Sequence, residues 1–135
     1  MSRLLTEDEV IREGERLGRE LPPGSVLLFR GQIGAGKTTL IKAIARGLGV
    51  DSPTSSPTYA LVHNYQGRRG PVYHVDCYRL GSPEEAGGID WEGMLAEGDA
   101  ILVEWPERAG PWVPRATHEF TLSHVDDPDL RRLED

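Results

Sequence analysis

A glycine-rich segment at residues 31–38, with the sequence GQIGAGKT, limits this chain to a small group of folds. It matches the phosphate-binding pattern G-x-x-x-x-G-K-[ST] at every fixed position. The apolar run at residues 26–29 precedes it and is typical of a strand buried on both faces. Apolar residues at helical spacing follow it, from Leu40 to Leu48. A strand, this loop and a helix in succession predict an α/β fold of the P-loop NTPase class.

Each fixed position of the loop has a physical role in binding phosphate. Glycines let the backbone approach phosphate oxygens where a side chain would collide. We expect the amides of residues 34–38 to form an anion-binding nest at the positive end of the following helix. Lys37, expected to be exposed in the empty site, supplies a cation for the outer phosphates, and Thr38 supplies a hydroxyl ligand for Mg²⁺. The predicted ligands are ATP and Mg²⁺, and the predicted nucleotide-binding residues are Gly34, Ala35, Gly36, Lys37, Thr38 and Thr39.

Two acidic residues follow apolar segments that predict strands. Asp76 directly follows the segment at residues 72–75, and Glu104 directly follows the segment at residues 100–103. In open α/β sheets the carboxyl ends of the strands surround the ligand crevice. One carboxylate there can hold Mg²⁺ directly or through water, and the other can position the attacking water. We therefore predict Asp76 and Glu104 as catalytic residues and, with Thr38, as metal ligands; the residues do not decide which carboxylate takes which role.

Other polar residues give weaker indications. His63 and His74 lie on predicted strands without metal-ligand spacing, and we interpret both as structural. Arg79 and Arg108 could stabilise transferred charge, although surface arginines are more often solvated or paired. The sequence around Cys77 gives no sign that its thiol is activated.

Two further features are each open to two interpretations. Trp105 could line the site, although a tryptophan of this kind more often packs in the core or at an interface. The polar loop at residues 52–58 is either a switch that becomes ordered with a γ-phosphate and Mg²⁺, or a plain connector.

The remaining patterns predict one P-loop domain over residues 1–135, with a mixed, partly parallel central sheet flanked by helices. Thr6 and Glu9 form a capping-box pattern at the start of the first helix. The segments at residues 59–65 and 72–76 predict a hairpin. A last strand is expected at residues 117–122, and a frayed tail or short helix at residues 126–135.

Charge and hydropathy restrict the partners. With 15 basic and 22 acidic residues the formal net charge is −7, and an acidic surface repels nucleic-acid backbones. No apolar run approaches the roughly 20 residues needed to span a bilayer. The single cysteine excludes an internal disulfide and fits a reducing compartment. We therefore expect a cytoplasmic protein that contacts neither membrane nor, directly, nucleic acid.

Four segments, in order, carry a resemblance to one family. Residues 31–40 are similar to the GDLGAGKTTL loop of the bacterial TsaE (YjeE) family of tRNA threonylcarbamoyladenosine biosynthesis. Residues 56–62 resemble its SPTYTLV segment, residues 74–80 its HFDLYRL segment, and residues 102–107 its LIEWPE segment. The resemblance extends from the first predicted helix to the last predicted strand. Gln32 departs from it, where the family usually has an acid, as does Cys77, where it often has leucine.

The resemblance implies a function that the residues alone do not. Members of the family are ATPases, weakly active alone, that act with the proteins TsaB and TsaD. TsaD transfers threonylcarbamoyl to adenosine 37 of tRNAs that read codons beginning with A, so tRNA would be met only indirectly. By resemblance, Thr38, Asp76 and Glu104 would serve Mg²⁺ and hydrolysis, and residues 56–59 would be switch-like.

Two other functions remain as alternatives. A small-molecule P-loop kinase would need an acceptor site and usually an arginine-bearing lid, and no insertion here is long enough for both. A nucleotide-dependent binding module with little hydrolysis fits the same residues. A guanine-nucleotide switch is disfavoured because the chain has no N-K-x-D motif.

Overall fold

The computed structural model describes residues 1–32, 34–51 and 61–135, and within these ranges one seven-stranded sheet organises the chain. Its strand order is β1-β7-β6-β2-β5-β4-β3. The strands are β1 (Ser2–Leu5), β2 (Ser25–Gly31), β3 (Val62–Gln66), β4 (Pro71–Asp76), β5 (Ala100–Glu104), β6 (His118–His124) and β7 (Arg131–Glu134). The α-helices are α1 (Glu7–Glu20), α2 (Lys37–Gly47) and α3 (Trp91–Glu97), and short 3₁₀ helices cover Pro83–Gly88, Pro106–Arg108 and Gly110–Trp112.

The centre of the sheet is parallel and its outer strands are antiparallel. Strand β2 lies between β5 and β6 and is parallel to both, and β4 is parallel to β5. Strands β3 and β4 form the expected antiparallel hairpin, and β7 pairs antiparallel with β1 and β6. This confirms the predicted mixed α/β fold. It also brings the carboxyl ends of β2, β4 and β5 to one edge of the sheet.

Helices cover both faces of the sheet, as the apolar runs predicted. Leu27 and Phe29 of β2 pack in the core beneath α1 and α2, whereas Val26 and Leu28 pack on the opposite side with α3. Alternate residues of one strand therefore enter two separate apolar clusters. Such burial on both faces explains why the strand reads as a continuous apolar run.

Helix α1 begins at the predicted cap and packs closely on α2. The Thr6 hydroxyl accepts from the Glu9 backbone N–H at 3.2 Å, and the Glu9 carboxylate accepts from the Thr6 N–H at 3.0 Å. A Cβ built on Gly14 would lie 2.6 Å from the Cβ of Ala43, and one on Gly18 would collide with the carbonyl oxygen of Ile44. The two helices thus approach so closely that these positions of α1 have no room for a side chain.

Gly18→Ala is expected to destabilise the protein, although alanine is intrinsically the better helix former by about 1 kcal/mol. The added methyl meets backbone atoms of α2 that cannot rotate away, and overpacking of this kind costs about 1–3 kcal/mol. Urea denaturation monitored by circular dichroism measures the change. Gly88→Ala is the control, because a Cβ there meets nothing within 4 Å; equal midpoints for the two variants would contradict the close packing.

The ends of the chain differ from the prediction. The frayed tail or short helix expected at residues 126–135 is wrong for Arg131–Glu134, which form β7 between β1 and β6. Leu133 of this strand is fully buried in the core beneath α1. Strand β1 and helix α3 were not predicted. The charged tail forms a strand because β1 and β6 on either side of it supply its backbone hydrogen bonds.

Two expectations concern other parts of the chain. The polar loop at residues 52–58, with its switch-like segment at residues 56–59, lies outside the described residues. Among the helices that are described, none is long and apolar enough to cross a membrane.

Candidate functional site

A cleft of about 380 Å³ opens at the carboxyl edge of the parallel strands. It brings together the phosphate-binding loop and both predicted carboxylates. Its lining residues are Gly34, Gly36, Lys37, Thr38, Thr39, Asp76, Tyr78, Glu104 and Trp105. All the predicted site residues except Ala35 are therefore at this cleft. Ala35 is buried, and its backbone N–H donates to the carbonyl oxygen of Gln32 at 3.1 Å.

Strand register brings the two carboxylates side by side. Asp76 is the Cα partner of Glu104 across β4 and β5, and Glu104 is the partner of Phe29 across β5 and β2. Strand β2 extends two residues beyond Phe29 and ends at Gly31, where the glycine-rich loop begins. Three neighbouring strand ends thus deliver two acids and a glycine-rich turn to the same place.

The loop turns into α2 through a left-handed residue. Gly36 has φ 101° and ψ 12° and is the N-cap of the helix that starts at Lys37. A side chain at this φ would be strained, so the fixed glycine of the pattern has a conformational cause. Helix α2 consequently directs its positive end, with the N–H groups of its first turn, at the cleft.

Lys37 is folded back onto the loop and is not exposed as expected. Its ammonium donates to the carbonyl oxygen of Gly31 at 2.7 Å and lies 3.5 Å from the centroid of the Trp105 ring. The residue is only 5% exposed. Burial lowers the pKa of Lys37, and the nearby carboxylates, Glu104 foremost, oppose that shift. The expectation of exposure is wrong because the long side chain finds a carbonyl and an aromatic face within the protein.

Asp76 and Glu104 are each held by a hydrogen bond. An oxygen of Asp76 accepts from the Tyr78 backbone N–H at 3.0 Å, which fixes the turn that follows β4. Glu104 is buried, and one of its oxygens lies 2.7 Å from Nε2 of His74. The interpretation of His74 as structural did not anticipate this contact with a predicted catalytic residue. His74 lies two residues before Asp76 on β4, and so on the same face, and this spacing is the signal that could have identified it.

An aromatic and cationic group borders the phosphate loop. Trp105 has φ 54°, the one left-handed residue other than glycine in the described ranges. Its ring lies 5.1 Å from the Tyr78 ring, and the Arg108 guanidinium stacks over both while donating to the Tyr78 carbonyl oxygen at 2.9 Å. Both interpretations of Trp105 apply, because it lines the cleft and also packs, partly buried, against the apolar cluster on the α3 side of the sheet. Arg79 is exposed and is not among the residues that line the cleft.

Cys77 lies next to the site but carries no sign of reactivity. It is fully buried, and burial raises the pKa of its thiol to about 12. The thiolate is therefore strongly disfavoured at neutral pH.

The oxygen donors of the cleft fit a hard divalent cation. The Thr38 hydroxyl and the carboxylates of Asp76 and Glu104 line the same space, and Mg²⁺ prefers oxygen ligands. No group of three or more His, Cys, Asp or Glu residues suited to a metal occurs in the described part of the chain. This donor set matches sites that bind Mg²⁺ through one or two carboxylates and substrate phosphates, not through an all-protein cage.

Comparisons with known proteins agree on one family. Residues 4–133 match the family described as "Threonylcarbamoyl adenosine biosynthesis protein TsaE". The Nostoc sp. tRNA threonylcarbamoyladenosine biosynthesis protein TsaE is 36% identical over 128 residues, which cover 92% of this chain and 78% of that protein. The protein of the same name from Treponema pallidum is 36% identical over 114 residues, 84% of each chain. The crystal structure of Bacillus subtilis YdiB superimposes with a TM-score of 0.74 at 25% identity, covering 98% of this chain and 84% of that one.

Proposed function

Since this chain belongs to the TsaE family, we propose that it is a weak, magnesium-dependent ATPase of tRNA threonylcarbamoyladenosine biosynthesis that supports a complex of TsaB and TsaD. The observation that carries the proposal is the single cleft lined by the phosphate-binding loop, Asp76 and Glu104. Family membership supports the pathway, because the relatives from Nostoc and Treponema are biosynthesis proteins of this tRNA modification. The acidic net charge of −7 supports contact with proteins in preference to tRNA.

In the proposed reaction the loop binds the phosphates of ATP. Backbone N–H groups at the start of α2 donate to phosphate oxygens, and the helix adds its partial positive charge. Lys37 leaves the Gly31 carbonyl and the Trp105 ring to contact the outer phosphates. This exchange replaces a neutral carbonyl acceptor with charged phosphate oxygens, and hydrogen bonds between charged groups are the stronger ones.

Thr38 and Asp76 would hold Mg²⁺, and Glu104 would orient the attacking water. A bound Mg²⁺ supplies positive charge to the phosphate oxygens on which negative charge develops. Glu104 is the more buried carboxylate and is hydrogen-bonded at one oxygen, so it is well placed to accept a proton from water at the other. Asp76 lies beside it at the adjacent strand end.

Asp76→Asn is expected to weaken magnesium-dependent ATP binding by about tenfold or more. The amide keeps the shape and the oxygen that accepts from Tyr78, but it loses the charge that attracts the cation. Titration calorimetry with and without Mg²⁺ measures the loss. Asp8→Asn, at the exposed start of α1, is the charge-matched control. An unchanged response to Mg²⁺ in the Asp76→Asn variant would remove Asp76 from the metal site.

Two other P-loop functions can be separated from this one by phosphate release. A small-molecule kinase would release little inorganic phosphate from ATP under any condition, and it would transfer the γ-phosphoryl group to its acceptor with formation of ADP. A binding module would exchange ATP and ADP without turnover. The proposed ATPase would release inorganic phosphate slowly without any acceptor, and candidate acceptors would neither accelerate the release nor become phosphorylated.

ATP is expected to bind more tightly than GTP. The chain has no N-K-x-D motif, which is the element that reads guanine in GTP-dependent switches. Competition of unlabelled ATP and GTP against a fluorescent ATP analogue gives the ratio of the two affinities. Equal or better displacement by GTP would overturn the assignment of ATP as the nucleotide.

A further inference from the structure

We propose that His74 is a positioning residue for Glu104, whose hydrogen bond holds the carboxylate in the orientation that ATP hydrolysis requires. The inference rests on the proposed ATPase function and adds to it a residue outside the cleft lining. It depends on the geometry of the pair, on the packing that fixes the His74 ring, and on the position of Glu104 between His74 and the cleft.

The His74–Glu104 contact is short and shielded from water. Nε2 of His74 lies 2.7 Å from Oε2 of Glu104, and the two side chains are 17% and 10% exposed. A carboxylate can only accept, so Nε2 must carry the hydrogen and His74 must be the donor. Shielding from solvent strengthens such a bond relative to one at the surface.

The His74 ring is itself held by a row of rings on β4 and β3. His63 is its cross-strand partner, and the two rings stack with centroids 5.5 Å apart and planes at 27°. The His63 ring stacks in turn on Tyr65, at 6.2 Å and 8°. Stacking on both strands of the hairpin restricts the rotation of His74 and therefore the direction of its N–H group.

Glu104 connects this row of rings to the nucleotide cleft. Strand register pairs His74 with Leu102, so Glu104, two residues further along β5, projects from the same face of the sheet. The carboxylate lines the cleft while one of its oxygens is bound to His74. Because the bond fixes that oxygen, it also fixes the direction of the remaining lone pairs towards the cleft. A general base must point at its water within hydrogen-bond reach, and an unrestrained carboxylate does so only part of the time.

A purely structural role for His74 predicts a different pattern of variants. If His74 only fills space, any replacement of similar volume should preserve hydrolysis, whatever its donor capacity. If His74 positions Glu104, the rate of hydrolysis should depend on whether the replacement can donate a hydrogen bond to Glu104. His74→Phe keeps the ring and its stacking without a donor, whereas His74→Gln loses the ring but can place an amide N–H near the position of Nε2.

The test is single-turnover ATP hydrolysis with TsaB and TsaD present, together with ATP affinity and thermal unfolding. His74→Phe should slow hydrolysis about 10–100-fold, as loss of an orienting partner typically does, and leave ATP affinity within about threefold. His74→Gln should recover most of the wild-type rate. His63→Phe is the matched control, because phenylalanine keeps an aromatic ring stacked on His74 and leaves the His74–Glu104 bond in place, and it should hydrolyse like the wild type.

Three results would overturn the inference. The first is a His74→Phe variant that hydrolyses ATP as fast as the wild type, and the second is a His74→Gln variant that is as slow as His74→Phe. The third is a loss of ATP affinity in His74→Phe that accounts for its whole loss of rate. A wild-type protein that hydrolyses no ATP would refute the proposed function itself, which distinguishes the two failures. A readout without turnover tests the bond: the slowly exchanging ring N–H resonance of His74 should be visible by NMR in the wild type and lost in Glu104→Ala.

Discussion

Glu104→Gln should slow ATP hydrolysis by about 10²–10⁴-fold, the usual cost of losing a positioned general base. The amide keeps the volume of the side chain and an oxygen that can still accept from His74, so the local structure should persist. What it loses is the negative charge and the ability to take a proton from water. ATP affinity should change far less than the rate, because in the proposed site the loop and Lys37, not Glu104, would bind the phosphates.

The loss of rate and the change in ATP affinity are distinguished by measuring single-turnover hydrolysis and ATP binding, both with TsaB and TsaD present. Glu92→Gln, an exposed residue of α3, is the charge-matched control and should behave like the wild type. If Asp76→Asn shows the large loss of rate and Glu104→Gln shows the loss of Mg²⁺-dependent binding, the two carboxylates exchange roles. Hydrolysis and binding at wild-type levels in both variants would mean that neither residue serves the site.

Lys37→Ala should weaken ATP binding by about 1.5–3 kcal/mol, or roughly 10–150-fold. In the proposed site the variant would lose a charge-assisted contact to the outer phosphates. Because the lysine is buried against Gly31 and Trp105, the variant also loses two contacts within the protein. A small loss of stability should therefore accompany the larger loss of affinity.

Titration calorimetry at a temperature where the variant is fully folded measures that affinity. The chain offers one matched control, Lys42→Ala, because Lys42 is its only other lysine and is exposed on α2. An ATP affinity for Lys37→Ala equal to that of Lys42→Ala would contradict the assignment of residues 31–38 as the phosphate site.

The parts of the fold that the sequence predicted are those with a strong local pattern. Strand β2, the loop and α2 follow from the glycine-rich motif and its apolar flanks. Asp76 and Glu104 were identified because each directly follows an apolar strand, and parallel pairing then brings strand ends together.

The parts that were missed depend on contacts between distant segments. Strands β1 and β7 have only four residues each, too few for a recognisable alternating pattern, and they form because the two ends of the chain pair with each other. Helix α3 has seven residues, one of them Gly93, and begins at a cap on Asp90. Short elements of this kind are stabilised by packing more than by propensity.

In the site, too, the contacts that were missed join residues that are far apart in the sequence. The bond between His74 and Glu104 joins residues 30 positions apart, and only strand register places one beside the other. The burial of Lys37 depends on the left-handed turn at Trp105, which brings its ring over the loop. Neither contact could be predicted from periodicity along a single segment.

Phosphate release from ATP, measured for the purified chain alone and then with TsaB and TsaD added, tests the central claim most directly. We predict slow, Mg²⁺-dependent release by the chain alone and a faster rate when both partners are present. The absence of Mg²⁺-dependent release under both conditions, from protein that is folded and has bound ATP, would contradict the assignment of this chain as an ATPase.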